Sequence, residues 1–187
     1  MDAFSYLSVL LSIIIGLAMT QVLMGYRALL LSRARVKLYW PTLIWSGLIL
    51  VLATQNWWAS FELAEQRTWT FAVFAVILLQ TVFLYMMAAL VLPDVPADSG
   101  QDLKAHYYRE ARPFFSFLLA ALVASVLKDV MLDGGLPEAP NLAFHAVFGA
   151  VAIAAMLVRR ERFHEIIAPL MAGLSALYIG LLFARLS

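Results

Sequence analysis

Six long apolar stretches, separated by breaks that alternate in charge, constrain this chain more than any other feature. The basic group Arg27, Arg33, Arg35 and Lys37 follows the first stretch. Lys104, Arg109 and Arg112 follow the third, and Arg159, Arg160 and Arg162 follow the fifth. Arg67, Lys128 and Arg185, the rest of the 13 Lys and Arg residues, lie toward the opposite side. In hydrocarbon a segment must satisfy its own backbone, so an apolar run of about 20 residues becomes a spanning helix. Basic residues near span ends are retained on the cytoplasmic face. The pattern therefore predicts an all-α, polytopic transmembrane helix bundle with both termini extracytoplasmic. Its six spans fall at about 4–31, 40–59, 69–92, 114–132, 141–158 and 166–183.

Composition agrees. The chain is 64% hydrophobic and 13% charged, whereas soluble domains are about half apolar and about a quarter charged. Six spans of about 20 residues take up most of the chain, which predicts a single transmembrane domain over 1–187. The longest break, 93–113, is expected to carry a short cytoplasmic surface helix at about 99–112, opened by Ser99 and Asp102. Its Tyr107 and Tyr108 beside Lys104, Arg109 and Arg112 suit the headgroup zone. The first stretch has no basic residue before it and is too long for a secretory signal, so it reads as a retained helix. A net charge of +1 offers nothing to nucleic acid. With no cysteine, disulfides, thiolate metal sites, cysteine catalysis and palmitoylation are all excluded.

Small residues at helical spacing mark surfaces that permit close backbone approach. Ser8, Ser12, Gly16 and Thr20 form one such stripe on the first helix, and Gly173, Ala176, Gly180 and Ala184 form another on the last. They predict packing faces, within the bundle or against a second subunit, and so a homo-oligomer.

Polar groups at membrane depth are costly and mark candidate function. Lys128 and Asp129 lie about 21 Å along a helix that starts at Phe114, and Ser125 shares their face. His145 sits one turn into the next span, beside Gly149 and Ala152. Thr54, Gln55 and Asn56 succeed one another at 100° steps, so at least one points inward. Asn56, Lys128, Asp129 and His145 thus form a candidate outer site for an ion, small solute or proton, with His145 the group that titrates near neutral pH. The competing reading has Lys128 snorkelling to the interface while Asp129 and His145 satisfy each other or a loop carbonyl. Gln80, mid-span, is a further ligand candidate, and as a buried amide it equally suits a helix-to-helix clamp, as does Gln21. His164 and Glu165 are expected in solvent, just before the last helix.

One intramembrane histidine is too few for a bis-histidine haem, and Asp129 with His145 too few for a closed metal site, so no metal or cofactor is expected. A hydrolase built from Ser125, His145 and Asp129 places its nucleophile and acid one turn apart on one helix, which suits packing better than catalysis. Tyr39-Trp40-Pro41, Trp45 and Trp57-Trp58, preceded by Arg33-Ala-Arg35, resemble small bacterial six-span inner-membrane proteins over the first half of the chain. That resemblance implies the plasma membrane, the inner membrane in a bacterium; it carries no known activity and transfers no catalytic or binding residue. The expected function is a channel or transporter-like protein for an ion or small solute. The alternative is a non-catalytic scaffold or assembly partner, held by the lipid bilayer and by a membrane or soluble protein.

Overall fold

The computed structural model describes residues 3–66, 69–94 and 100–182. Arg67, Ser99, Ala184, Arg185 and both chain ends lie outside them. Six helices follow in order: α1 Ala3–Leu31, α2 Trp40–Ala59, α3 Phe71–Val91, α4 Leu103–Asp133, α5 Ala139–Leu157 and α6 Glu161–Leu182. Short 3-10 turns flank α2 at Arg33–Arg35 and Ser60–Glu65.

Local chemistry sets most of these ends. Pro41 opens α2 within its first turn, where a missing N–H costs nothing. Thr70 accepts a hydrogen bond from the Val73 N–H and caps α3, which moves its start two residues past Trp69. Gly134 closes α4 at φ +70°, a left-handed conformation that glycine adopts without strain.

Five helices, α1 and α3 to α6, are long and apolar enough to cross a membrane. α2 is not among them, because Trp, Thr, Ser, Gln and Asn interrupt its apolar run. Its position accounts for that composition. It packs against α1, α3 and α6 and buries Thr42, Trp45, Ser46, Leu48, Ile49 and Ala53. A helix with one broad face buried against others needs apolar residues only on its outer face, where α2 exposes Trp40, Val51, Trp57 and Trp58.

The packing order closes on itself. α2 meets α3, α3 meets α4, α4 meets α5, α5 meets α6, and α6 returns to α2. α1 stands outside this five-helix ring, against α3 and α2. Its inward row is Leu11, Ile15, Ala18, Val22 and Leu29. Gly25 allows the closest approach, since a Cβ there would lie 2.7 Å from Leu92 Cβ. Two polar bridges tie α1 to the ring. Gln21 Nε2 donates to Tyr85 Oη at 3.3 Å, which is the clamp expected of that residue, and the Tyr26 and Ser46 hydroxyls meet at 2.8 Å.

The small-residue stripes are not these packing faces. Ser12, Gly16, Thr20, Gly173, Ala176 and Gly180 are exposed and Ser8 is half-buried, and nothing approaches the positions of Cβ atoms at Gly16, Gly173 or Gly180. Spacing alone could not distinguish an inward face from an outward one. The hydroxyls of Ser8 and Thr20 bond to their own helix, at the Ser5 and Gly16 carbonyls.

All three basic breaks converge on one end of the ring, hereafter the basic end. There Val36–Lys37 and Gln101–Asp102 pair as two short parallel strands, β1 and β2, in an otherwise helical chain in which the sequence suggested no strand. Lys104 Nζ meets Glu161 at 2.6 Å across the starts of α4 and α6.

Two boundary expectations are corrected here. The surface helix at 99–112 and the span at 114–132 are one helix, α4, which runs through Pro113. Asp102 caps it, its carboxylate accepting from the Lys104 and Ala105 N–H groups. An interior proline costs about 3 kcal/mol. The burial of Leu103, His106, Tyr107 and Ala111 in the turns before it offsets that cost. α6 begins at Glu161 rather than 166, which carries His164 into the helix and into the core.

Candidate functional site

The ring surrounds a half-open cavity of about 110 Å³ in the half of the bundle away from the basic end. Each ring helix contributes polar side chains to it: Gln55 and Asn56 of α2, Gln80 of α3, Ser125 of α4, His145 of α5, and Ser175 and Tyr178 of α6. Rotation about each helix axis decides which groups arrive. In α2 Ala53 is buried, Gln55 and Asn56 turn to the cavity, and Thr54 turns out and bonds to its own Leu50 carbonyl. Gln80 rises from a face whose buried members are Ile77, Thr81 and Leu84. The rest of the wall is apolar, with Leu84, Met87, Leu118, Leu122 and Phe148 prominent.

Several lining groups are already oriented by bonds within the protein. His145 Nδ1–H donates to the Asn141 carbonyl at 2.9 Å, so Nε2 is the nitrogen left for the cavity. Tyr178 Oη donates to Asn141 Oδ1 at 3.1 Å, which ties α6 to α5. Ser175 Oγ donates to the Met171 carbonyl at 2.8 Å and thereby directs oxygen lone pairs outward from that bond.

Three of the candidate residues, Asn56, Gln80 and His145, therefore share one cavity. Lys128 borders a second, much smaller one, which adjoins the first through Asn56 and Gln80. Asp129 lines neither and pairs with Lys128 at 2.9 Å. The expected approach of Asp129 to His145 is not made, because the Lys128 ammonium and the Asn141 carbonyl claim them separately. This also dismantles the Ser125–His145–Asp129 relay. Among the described residues no three His, Asp or Glu side chains are grouped to hold a metal ion.

Ser175 and Tyr178 escaped the sequence reading. The evident signal on α6 was its small-residue stripe, whereas the inward row is Ile167, Ala168, Met171 and Ser175. The i, i+4 step from Met171 to Ser175 and i+7 to Tyr178 was the available sign.

Toward the basic end the ring is closed by aromatic packing. Trp45 stands edge-on to Phe114 and Phe115, with ring centroids 5.5 and 5.2 Å away. Tyr107, Tyr108, Phe115 and Phe163 surround the His164 ring at 5.3 to 6.3 Å. His164 is 1% exposed, not solvated as expected. Its Nε2–H donates to the Val158 carbonyl at 2.7 Å, and its Nδ1 accepts from the Tyr107 hydroxyl at 2.9 Å. Val158 is the C-cap of α5, so a side chain of α6 satisfies a carbonyl that α5 leaves open. His106 does the same for α3, donating from Nε2 to the Leu90 carbonyl at 2.9 Å while Arg109 donates to its Nδ1. Beside them, burial and then the hydrogen bond with Tyr108 push the Tyr39 phenol above its ordinary range, so it stays neutral.

The arrangement is a pocket with amide, imidazole and hydroxyl groups above and a dense aromatic floor below. Comparisons of the chain with protein-family models, with curated proteins and with solved structures found no match.

Proposed function

We propose that this chain is a six-span plasma-membrane protein, of the inner membrane in a bacterium, that holds a small solute or ion in its central cavity and passes it across the bilayer. The observation that carries this reading is the cavity itself, to which all five ring helices contribute polar groups; if all six helices span, those groups sit at membrane depth, where they are costly without a role. Polar side chains also clamp packed helices, as Tyr178 and Asn141 do here, but the convergence of groups from five helices on one space favours a ligand there. The cavity stops at the Trp45–Phe115 layer, which suits a transporter-like cycle that opens the two ends in turn better than a standing channel.

In this reading α2 is the sixth span, its polar residues placed largely on the face it buries against α1, α3 and α6, and the basic end faces the cytoplasm. Both chain termini are then extracytoplasmic. The absence of cysteine makes the orientation directly testable. Lys37→Cys and Arg160→Cys are expected to resist a membrane-impermeant maleimide in intact cells and react after permeabilisation, while Gly135→Cys reacts at once. The reverse pattern inverts the topology.

Function is tested in proteoliposomes, with swelling assays for uncharged solutes and reporter dyes for protons and alkali cations. Wild-type vesicles are expected to exceed protein-free vesicles for at least one permeant, and Gln80→Leu to remove most of the excess. Permeability equal to protein-free vesicles throughout overturns transport. The second reading, a scaffold or self-associating module, is favoured by the outward stripes of Ser12, Gly16 and Thr20 and of Gly173, Ala176 and Gly180.

A further inference from the structure

We infer that the central cavity takes a small uncharged hydrogen-bonding solute, such as a primary amide, and rejects ions of the same shape; this rests on the proposed role of the cavity and names its ligand class.

Charge comes first. Among the described residues no Asp, Glu, Lys or Arg lines the cavity. Lys128 borders the adjoining space and is paired with Asp129 at 2.9 Å. A charged solute entering this wall would lose hydration and meet no counter-charge, the least favourable form of burial. A purely apolar solute fails for the opposite reason. It would cover the carboxamides of Asn56 and Gln80 without bonding to them, and it gains nothing over remaining in lipid.

Hydrogen-bond polarity narrows the class further. On the α5–α6 side, His145 Nδ1–H and the Ser175 hydroxyl proton are already committed to backbone carbonyls. A neutral His145 and Ser175 therefore offer acceptors there. On the α2–α3 side, Gln55, Asn56 and Gln80 carry carboxamides, each with both donors and an acceptor. A primary amide matches both sides. One N–H suits the acceptor wall, and its carbonyl and other N–H pair reciprocally with a carboxamide. Size agrees: 110 Å³ is somewhat less than the ~150 Å³ apolar cavity known to hold benzene. A solute of about four or five heavy atoms is therefore accommodated.

Acetamide, acetate and acetamidinium are near-isosteres that are neutral, negative and positive. Ligand-observed NMR saturation transfer on the wild-type protein in nanodiscs is expected to show acetamide binding, with both ions ~10-fold weaker or absent. Comparable or stronger binding of either ion overturns the inference, as does no acetamide binding. Because the comparison uses wild-type protein, it stands whether or not a variant folds. Gln80→Leu, checked for helicity by circular dichroism, is expected to abolish the acetamide signal. A folded variant with undiminished binding places the solute elsewhere and overturns the assignment. Acetamide binding without flux in vesicles defeats the transport reading and leaves this one intact. Ion flux without acetamide binding does the reverse.

Discussion

Trp45→Ala lowers the resistance of the folded bundle to unfolding by about 3 kcal/mol, read as a shift in the SDS-induced unfolding midpoint in mixed micelles. Removing a buried Trp costs about 3–5 kcal/mol in soluble cores, through lost transfer energy and the cavity left behind. In lipid the transfer part largely vanishes, because acyl chains are as apolar as the protein interior, and the loss of packing contacts remains. The low end of the range is therefore expected. Trp45 is 1% exposed and stands edge-on to both Phe114 and Phe115, so the space it vacates lies between α2 and α4 and is walled by rigid rings. Phe71→Ala, at a position 85% exposed at the start of α3, is the control and is expected to change the midpoint little. Equal shifts for the two would show that the aromatic floor is not a packed layer.

His164→Ala has the second-largest effect, about 2–4 kcal/mol, because it strands a buried hydroxyl and a half-buried carbonyl at once. The Val158 carbonyl loses the donor that caps α5, and the Tyr107 hydroxyl loses its acceptor. Each stranded group costs about 1–3 kcal/mol. Tyr107→Phe breaks only one of these bonds and keeps the α5 cap, so it is expected to cost less than half as much. Hydrogen exchange adds a local readout: amides near 158–164 lose protection in His164→Ala and largely keep it in Tyr107→Phe. Equal losses in the two variants would mean that the imidazole acts by bulk, not through its two directed bonds. The same closure separates the cavity from the basic end, so His164→Ala in vesicles also reports whether it limits passage.

The helical class was legible because it depends on local properties. A run of apolar residues broken by Trp-Pro, Thr, Gly-Gly or a basic cluster specifies where a helix can start and stop without reference to its neighbours. Pro41, Thr70 and Gly134 act at helix ends through their own backbone or hydroxyl chemistry. Where reasoning from such signals failed, a tertiary contact outweighed them. Pro113 looked like a boundary, yet α4 continues because the turns before it are buried. His164 looked solvated beside Arg159, Arg160 and Arg162, yet its partners lie on α4 and at the end of α5.

The candidate site divides along the same line. That Asn56, Gln80 and His145 lie on long, mostly apolar helices followed from counting residues along each stretch. Which of them share a cavity did not, because that depends on the rotation of each helix about its axis and on the identity of its neighbours. Asp129 shows the difference: it lies one position from Lys128 in sequence and pairs with it, while His145, a plausible partner by depth, is claimed by its own helix. Ser175 and Tyr178 show it from the other side, since only the closure of α6 onto α2 gives their face an interior.

The sequence by itself determined the all-helical class, the apolar stretches and the clustering of basic residues at alternate breaks. These are properties of segment length, apolarity and charge, and each is set within some twenty neighbouring residues. The tertiary structure alone decided the closed five-helix ring, the outward turn of the small-residue stripes, the division of the polar residues between two cavities and the aromatic floor sealed by His164. Each of these depends on contacts between residues far apart in the chain, and a local pattern of apolarity is indifferent to which of several similar helices it meets.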